Sequence, residues 1–268
     1  MTLRNISPPA GDGEQRFGNL LVSIDGPVAV LTMDRPEKLN AIPSAFWGQL
    51  CTALDHCAAA RVRVAILTGS GDRAFSAGGD IDEFQRLQGE ARLRAYQQQA
   101  MDAFHYIERV PFFVIAAVNG IAFGGGAELA LAADFVIAAD NARFALPEAA
   151  LGLVPGFGAV RGPDVIGRQM TKFLIATGDQ IPAARAVEIG LAQLVVPAGR
   201  LMEEALLIAR RITSRSPNAL RTAKRMVNRT MDEQDLANSV EEITALQLSE
   251  DRARGVAAFL AKRPPAFD

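Results

Sequence analysis

Apolar residues along this chain fall into short runs, and the spacing inside each run separates strands from helices. In "NLLVSIDGPVAVLTMDRP" (19–36) two apolar runs are divided by Asp25-Gly26, a pair that favours a tight turn, so the segment predicts a β-hairpin. From Ser44 to Ala60 the positions Phe46, Leu50, Leu54 and Cys57 recur at helical spacing, with Ser44 as the expected N-cap. "VRVAILTG" (62–69) is almost unbroken, as expected of a strand covered on both faces. "GDRAFSAGGDIDEF" (71–84) reads as a turn-rich loop running into a helix, with Asp80 as cap and Glu83 as third helical residue.

Residues 90–109 predict a further helix and "PFFVIAAVN" (111–119) a second buried strand. The next helix starts at the glycines 124–126, and "DFVIAA" (134–139) follows as a strand. Strands alternating with helices imply right-handed crossovers and an α/β fold. From about residue 165 onward only "AQLVVP" (192–197) has strand character. Residues 199–260 read as three or four helices, with apolar positions such as Leu201, Ala205, Leu206, Ile208 and Ile212. The expected organisation is an α/β core over 1–198 and a helical region over 199–268, with the Pro-, Gly- and charge-rich residues 1–18 as a loose arm. Leu201, Leu206, Ile243, Leu246 and Phe259 exceed what one helical appendage needs. The region is therefore expected to bury apolar faces between subunits and serve oligomerisation.

Composition narrows the class. The 268 residues are 49% hydrophobic and 22% charged, which suits a soluble globular chain with one sizeable core. A net charge of −2 gives no basic footprint for nucleic acid or an anionic membrane surface. The basic stretch of Arg210, Arg211, Arg215, Arg221, Lys224, Arg225 and Arg229 reads as a solvated helix face. No apolar run approaches the ~20 residues of a membrane span, and the N-terminal stretch has no apolar signal core. The expectation is a soluble, cytoplasmic protein. Cys51 and Cys57, six apart on one predicted helix, suit neither a metal pair nor a redox motif. His56 and His105 have no ligand companions, so no metal is expected.

The candidate chemistry lies at two glycine corners of like construction. "VAILTG" leads to "FSAGGD", and "FVIAAVNG" leads to "FGGGAE": a buried strand ends, a loop turns, and glycines open a helix. Amide groups at such a helix start lack internal partners and carry partial positive charge. Glycine lets an acceptor approach them closely. No Lys-Ser/Thr follows, and the GxGxxG pattern with its distant acid is missing, so phosphate binding is a weak reading. Two corners converging on one oxygen would form an oxyanion hole. On spacing alone, tight helix–strand packing explains the glycines equally well. Glu128 lies one turn beyond the second corner. Glu148 follows Pro147 at a further helix start, where an acid alone would commonly do no more than compensate the helix dipole.

"AFSAGGDIDEF", "IAAVNGIAFGGGAELALAADFVIA", "FALPEAALGLVPGFG" and "AAFLAKRPPAF" resemble the enoyl-CoA hydratase/isomerase (crotonase) family, over about residues 19–268. The resemblance implies a crotonase-like spiral of repeated ββα turns with a C-terminal helical region, acyl-CoA thioester substrates, and a homotrimer or a hexamer made of two trimers. It further implies that the Gly79 and Gly125 amides bind the thioester oxygen, and that Glu128 and Glu148 hold and activate water. Gly156 matches a glycine beside the second acid. Ala77, Asp80 and Ile81 flank the first corner and are expected to contact substrate. Arg35 and Lys38, and Phe259 with Lys262 from a neighbouring subunit, are weaker candidates for CoA recognition. Asp82 stands where some hydratases carry a lysine near the CoA phosphates. "GFGAVRGP" (156–163) is one residue shorter than the family's usual "GxGGTQRLP", which puts pocket shape in question.

The activity implied is reversible syn hydration of a trans-2-enoyl-CoA, with no cofactor beyond the CoA carried by the substrate. A double-bond isomerase, in which one acid moves a proton between carbons, is the neighbouring enzymatic alternative. A serine hydrolase built on Ser76 lacks a triad pattern around either histidine. A scaffold that binds acyl-CoA without turnover stays open, because a fold does not guarantee activity.

Overall fold

The computed structural model describes residues 14–228, 240–241, 244–245 and 247–263. It opens with three antiparallel strands, β1 (Gln15–Phe17), β2 (Leu20–Asp25) and β3 (Val28–Met33). The hairpin at Asp25-Gly26 is as expected. The strand β1 is not, since the arm reads as loose, but Gly18-Asn19 forms a two-residue turn that pairs Phe17 with Leu20. Helix α1 (Phe46–Ala59) follows, then β4 (Val64–Gly69), β5 (Ala74–Ser76), α2 (Ile81–Phe84) and α3 (Glu90–Arg109).

The unit strand, short strand, helix then repeats. It recurs as β6 (Phe113–Val118), β7 (Ile121–Phe123) and α4 (Gly125–Ala132), and again as β8 (Phe135–Ala139), β9 (Arg143–Ala145) and α5 (Gly156–Val165). Helix α6 (Arg168–Thr177), β10 (Ile181–Pro182), α7 (Ala183–Glu188) and β11 (Leu194–Val196) complete the spiral. The five longer strands, flanked by the three-residue β1 and β11, form one seven-stranded sheet in the order β1-β2-β3-β4-β6-β8-β11, parallel from β3 onward. The other short strands form a second sheet, β10-β9-β7-β5. This is the crotonase-like ββα spiral. The strands of this second sheet are only two or three residues long and lie inside turn-rich segments, so β5, β7, β9 and β10 escape a sequence reading.

The unbroken apolar run of β4 has a direct cause. Ala65 and Leu67 join a core with Leu50, Leu54 and Phe104 from α1 and α3. Val64 and Ile66 face the other way, onto Leu201, Ala205 and Ala209 of α8 (Leu201–Thr213). Leu201 is thus buried within its own chain rather than held for another subunit. Leu206 packs on the same cluster, Phe259 is 54% exposed, and Ile243 and Leu246 lie outside the described residues.

Two local expectations are overturned. Ser44 does not cap α1, which starts at Phe46 with no side-chain cap. Its own N–H donates instead to Glu83 Oε2 at 2.7 Å, so Glu83 steadies the approach to α1 rather than closing a capping box. Lys224, read as part of a solvated face, is buried on α9 (Pro217–Val227). Its ammonium donates to the carbonyls of Ile107 (2.9 Å) and Phe112 (2.8 Å) and to Asp134 Oδ2 (2.7 Å). Asp134 also accepts from the Val114 amide at 2.7 Å. Burial pushes the lysine's pKa down and the aspartate's up, against the pull of each on the other.

This pair pins the C-terminal helices to β6 and β8, and removing one partner leaves a charge buried alone. Lys224→Met is expected to cost about 3–5 kcal/mol in urea unfolding. Adding Asp134→Asn, which keeps an acceptor for Val114, should recover most of that loss. A single variant as stable as the parent would show that the pair does not hold the helices.

Candidate active site

The first corner is built on hydrogen bonds that use every amide but one. The Ala77 N–H donates to Leu39 O at 2.9 Å, Gly78 N–H to Ser76 Oγ at 3.2 Å, and Asp80 N–H to Ile42 O at 2.8 Å. Ile42 N–H donates back to Gly78 O at 2.7 Å. Among the described residues the Gly79 N–H has no acceptor. Asn40 underpins this corner from its buried position: its Nδ2 donates to Ser70 O (3.0 Å) and Ala74 O (2.8 Å), and its carbonyl accepts from Ser76 Oγ (2.8 Å).

The second corner begins at Gly124, whose N–H donates to Ala145 O at 3.0 Å while Gly125 opens α4 with its own N–H unused. The corners pack backbone on backbone. A Cβ on Gly126 would overlap the Ser76 carbonyl oxygen, and one on Gly125 would lie 3.9 Å from the Gly79 nitrogen. The two unused amides therefore adjoin one another. Between them they can donate to a single oxygen. The ring of Phe84 lies against Gly79 in the space a side chain there would take, and meets Tyr96 edge-on at 5.0 Å.

Both acids reach this place. Glu128 is buried on α4, and its Oε1 accepts from the Gly158 N–H at 2.8 Å. Glu148 starts a 3-10 turn (Glu148–Leu151), and its Oε1 lies 2.8 Å from where a Cβ on Gly124 would be. Gly124 also sits at φ +51°, so any side chain would strain the backbone and displace the carboxyl. That close approach is what the glycine run makes possible. Glu148 Oε2 is buried and has no hydrogen-bond partner among the described residues.

Burial raises the pKa of both carboxyls, and the proximity of Glu128 raises Glu148 further. The Phe157 and Gly158 amides favour the charged form of Glu128. The amides bias whatever single charge the pair carries toward Glu128, and the pair titrates as a unit. The arrangement brings two buried carboxyls of raised pKa close to two unused backbone amides.

The other expected residues divide. Gly156 begins α5 directly before the amides that hold Glu128. Ala77 and Ile81 flank Gly79, but the Ala77 amide is occupied. Asp80 is buried and serves structure: it caps α2 and pairs with Arg35 (2.9 Å) and Lys38 (3.2 Å). Burial opposes its charge, but these two cations prevail and hold it below the usual carboxylate range. Arg35 also donates to Ala41 O, and Lys38 pairs with Asp82 at 2.9 Å, so both are neutralised by acids. Phe259 and Lys262 are exposed on this chain. The helix Glu250–Leu260 does reach the rim within the same chain: Arg252 donates to Phe84 O at 2.7 Å, and Gly255 packs on Leu151. Phe157, Gly158, Asn40 and Phe84 are missed by the sequence reading. Pro155-Gly156, a helix start, was the one available signal for the amides.

Among the described residues no cluster of His, Cys, Asp and Glu could hold a metal, and no helix is long and apolar enough to cross a membrane. The family model described as enoyl-CoA hydratase/isomerase matches residues 23–268. A protein of Syntrophomonas wolfei subsp. wolfei named crotonyl-CoA hydratase is 39% identical, over 94% of this chain and 98% of that one. A probable enoyl-CoA hydratase of Rhizobium meliloti is 37% identical, over 94% and 98% respectively. The crystal structure of enoyl-CoA hydratase from Bacillus anthracis superposes with a TM-score of 0.76 at 36% identity, covering 93% of this chain and 99% of that one. The chain belongs to the enoyl-CoA hydratase/isomerase family.

Proposed function

We propose that this protein is an enoyl-CoA hydratase, a hydro-lyase that adds water reversibly and syn across the C2–C3 bond of a trans-2-enoyl-CoA. The observation that carries the reading is the buried pair Glu128 and Glu148, with Glu148 Oε2 unpartnered among the described residues, beside two unused amides. The names of the relatives support it in the same direction. The thioester oxygen accepts from the Gly79 and Gly125 N–H groups, which favour the negative charge that builds there as the π electrons shift. Water held by the Glu128 carboxylate attacks C3 and gives that carboxylate its proton, while Glu148 delivers its own proton to C2. One proton has entered the pair and one has left. Transfer from Glu128 to Glu148 restores the starting state, and no further cofactor is required.

We include in the proposal a homotrimeric or hexameric assembly, supported by Met226, Val227, Leu248, Phe259 and Leu260, large apolar side chains exposed on this chain's own surface.

Glutamine keeps the shape of either acid but exchanges no protons near neutrality. Glu128→Gln and Glu148→Gln should each lower hydration, followed by loss of enoyl absorbance, by about 10²–10⁴-fold. The double variant should fall little further, because the pair acts as a unit. Full turnover in Glu128→Gln, with isomer formed instead of hydrate, would assign single-acid isomerase chemistry.

Gly125 is the first residue of α4, where proline is tolerated but donates no N–H. Gly125→Pro should retain its melting temperature and lose about 10²–10³-fold in kcat. A folded variant with near-normal kcat would remove this amide from the mechanism.

The raised pKa values also set a stability trend. An acid whose folded pKa lies above its unfolded value gives full stability below the latter, and loses it as pH rises through the former. The pair therefore destabilises the fold as pH climbs from the ordinary value of 4.5 through the raised ones. Glu148→Gln lacks this repulsion, so its Tm advantage over the parent should widen between pH 5 and pH 8.5. Parallel Tm curves would show that the two acids do not share a buried charge.

A further inference from the structure

Glu128 is oriented by an amide that belongs to an unpromising helix. Helix α5 has ten residues, among them Gly156, Gly158, Gly162 and an internal Pro163. Each glycine costs ~1 kcal/mol against alanine and the proline ~3, so the helix cannot hold its place by propensity. It packs against α4 and α6, and two side-chain contacts tie it to α3. Phe157 stacks on Phe104, with centroids 4.7 Å apart and planes at 28°. One turn further along both helices, Arg161 meets Glu108, its Nε donating to Oε1 at 2.6 Å and its Nη2 pairing with the same oxygen. Both side chains are buried, about 6% exposed. The remaining fork of Arg161, Nη1, donates to Asp164 Oδ2 at 3.1 Å, while His105 Nδ1 lies 3.8 Å from Glu108 Oε2.

Successive rungs at positions 104 and 108 on one helix, and 157 and 161 on the other, fix the register of α5 along α3. We propose that Arg161 is a positioning residue for hydration, clamping α5 to α3 through Glu108 so that the Gly158 N–H meets Glu128 and aims its free oxygen at water. The inference rests on the hydratase reading. Arg161 itself touches neither acid: its guanidinium is engaged with Glu108 and Asp164, and its effect passes through the backbone of α5. A point charge cannot do the same work, because the planar fork holds two carboxylates in fixed directions.

The test is a double-mutant cycle between Arg161→Met and Glu128→Ala, in which the second change removes the acceptor that Gly158 serves. Arg161→Met should lower kcat by about 10–100-fold with KM within about twofold, as a misplaced catalytic group does. On the residual rate of Glu128→Ala the same substitution should have no further effect. Arg161→Lys, which keeps a cation against Glu108, should give a smaller loss that also vanishes in the Glu128→Ala background; it serves if the methionine variant does not fold. Equal factors in both backgrounds, or a folded Arg161 variant with parental kcat, would overturn the inference while leaving the hydratase reading intact. If Glu128→Ala alone retained full turnover, the hydratase reading would be the one to fall, and the inference with it.

Discussion

The structure depends on two strand-to-helix corners meeting with nothing between them but backbone. A single Cβ at Gly126 would overlap the Ser76 carbonyl and force the corners apart. That contact fixes the separation of the Gly79 and Gly125 amides, and so the place where an oxygen can be held. The two sheets serve it. The long parallel strands end in these corners, and the short second sheet binds β5 to β7 and β7 to β9, so successive corners cannot slide. Asn40 plays the matching part from the loop after β3, tying Ser70 and Ala74 to its buried side-chain amide and Ser76 to its backbone carbonyl.

Chemistry and stability oppose each other in the space so defined. Two buried carboxyls side by side cannot easily both ionise, and Glu148 Oε2 is one of the few buried side-chain oxygens or nitrogens left unpaired among the described residues. Such a site persists only when its surroundings over-determine it. Here they include the amides of α5, the rungs that hold α5, and the extensive apolar core around α1, α3 and α4. At the rim, Arg35, Lys38, Asp80 and Asp82 form a closed set with no net charge. Asp80 looks from the sequence like a substrate contact, yet its carboxylate is consumed in capping and pairing.

Much of this architecture was legible in advance, for a physical reason. Long strands buried on both faces must be apolar throughout, and β4, β6 and β8 are recognisable on that ground alone. The paired glycine corners and the two glutamates could be located, and the family resemblance supplied roles that spacing left open. What could not be read depends on contacts distant along the chain. Lys224 looks like any helical surface lysine until Asp134, 90 residues away, is seen beside it. Glu83 fits a capping box, but Ser44 competes for it from another loop. Arg161 lies in a stretch, 156–163, that departs from the family's usual pattern. Its partner Glu108 is 53 residues earlier, so no local pattern announces the clamp.

The strand order of the large sheet bears on how the chain assembles. Because β1, β2, β3, β4, β6, β8 and β11 lie side by side in the order of synthesis, each turn can dock on an edge already formed, as in a solenoid. A chain emerging from the ribosome can therefore acquire most of its sheet before its C-terminal third exists. The reactive centre follows a different schedule. Gly79 belongs to the first turn, Gly125 and Glu128 to the second, and Glu148 with the α5 amides to the third. The two acids are thus brought together only after the scaffold that must withstand their repulsion is in place. Lys224 then closes the sequence, reaching back from α9 to lock the finished spiral.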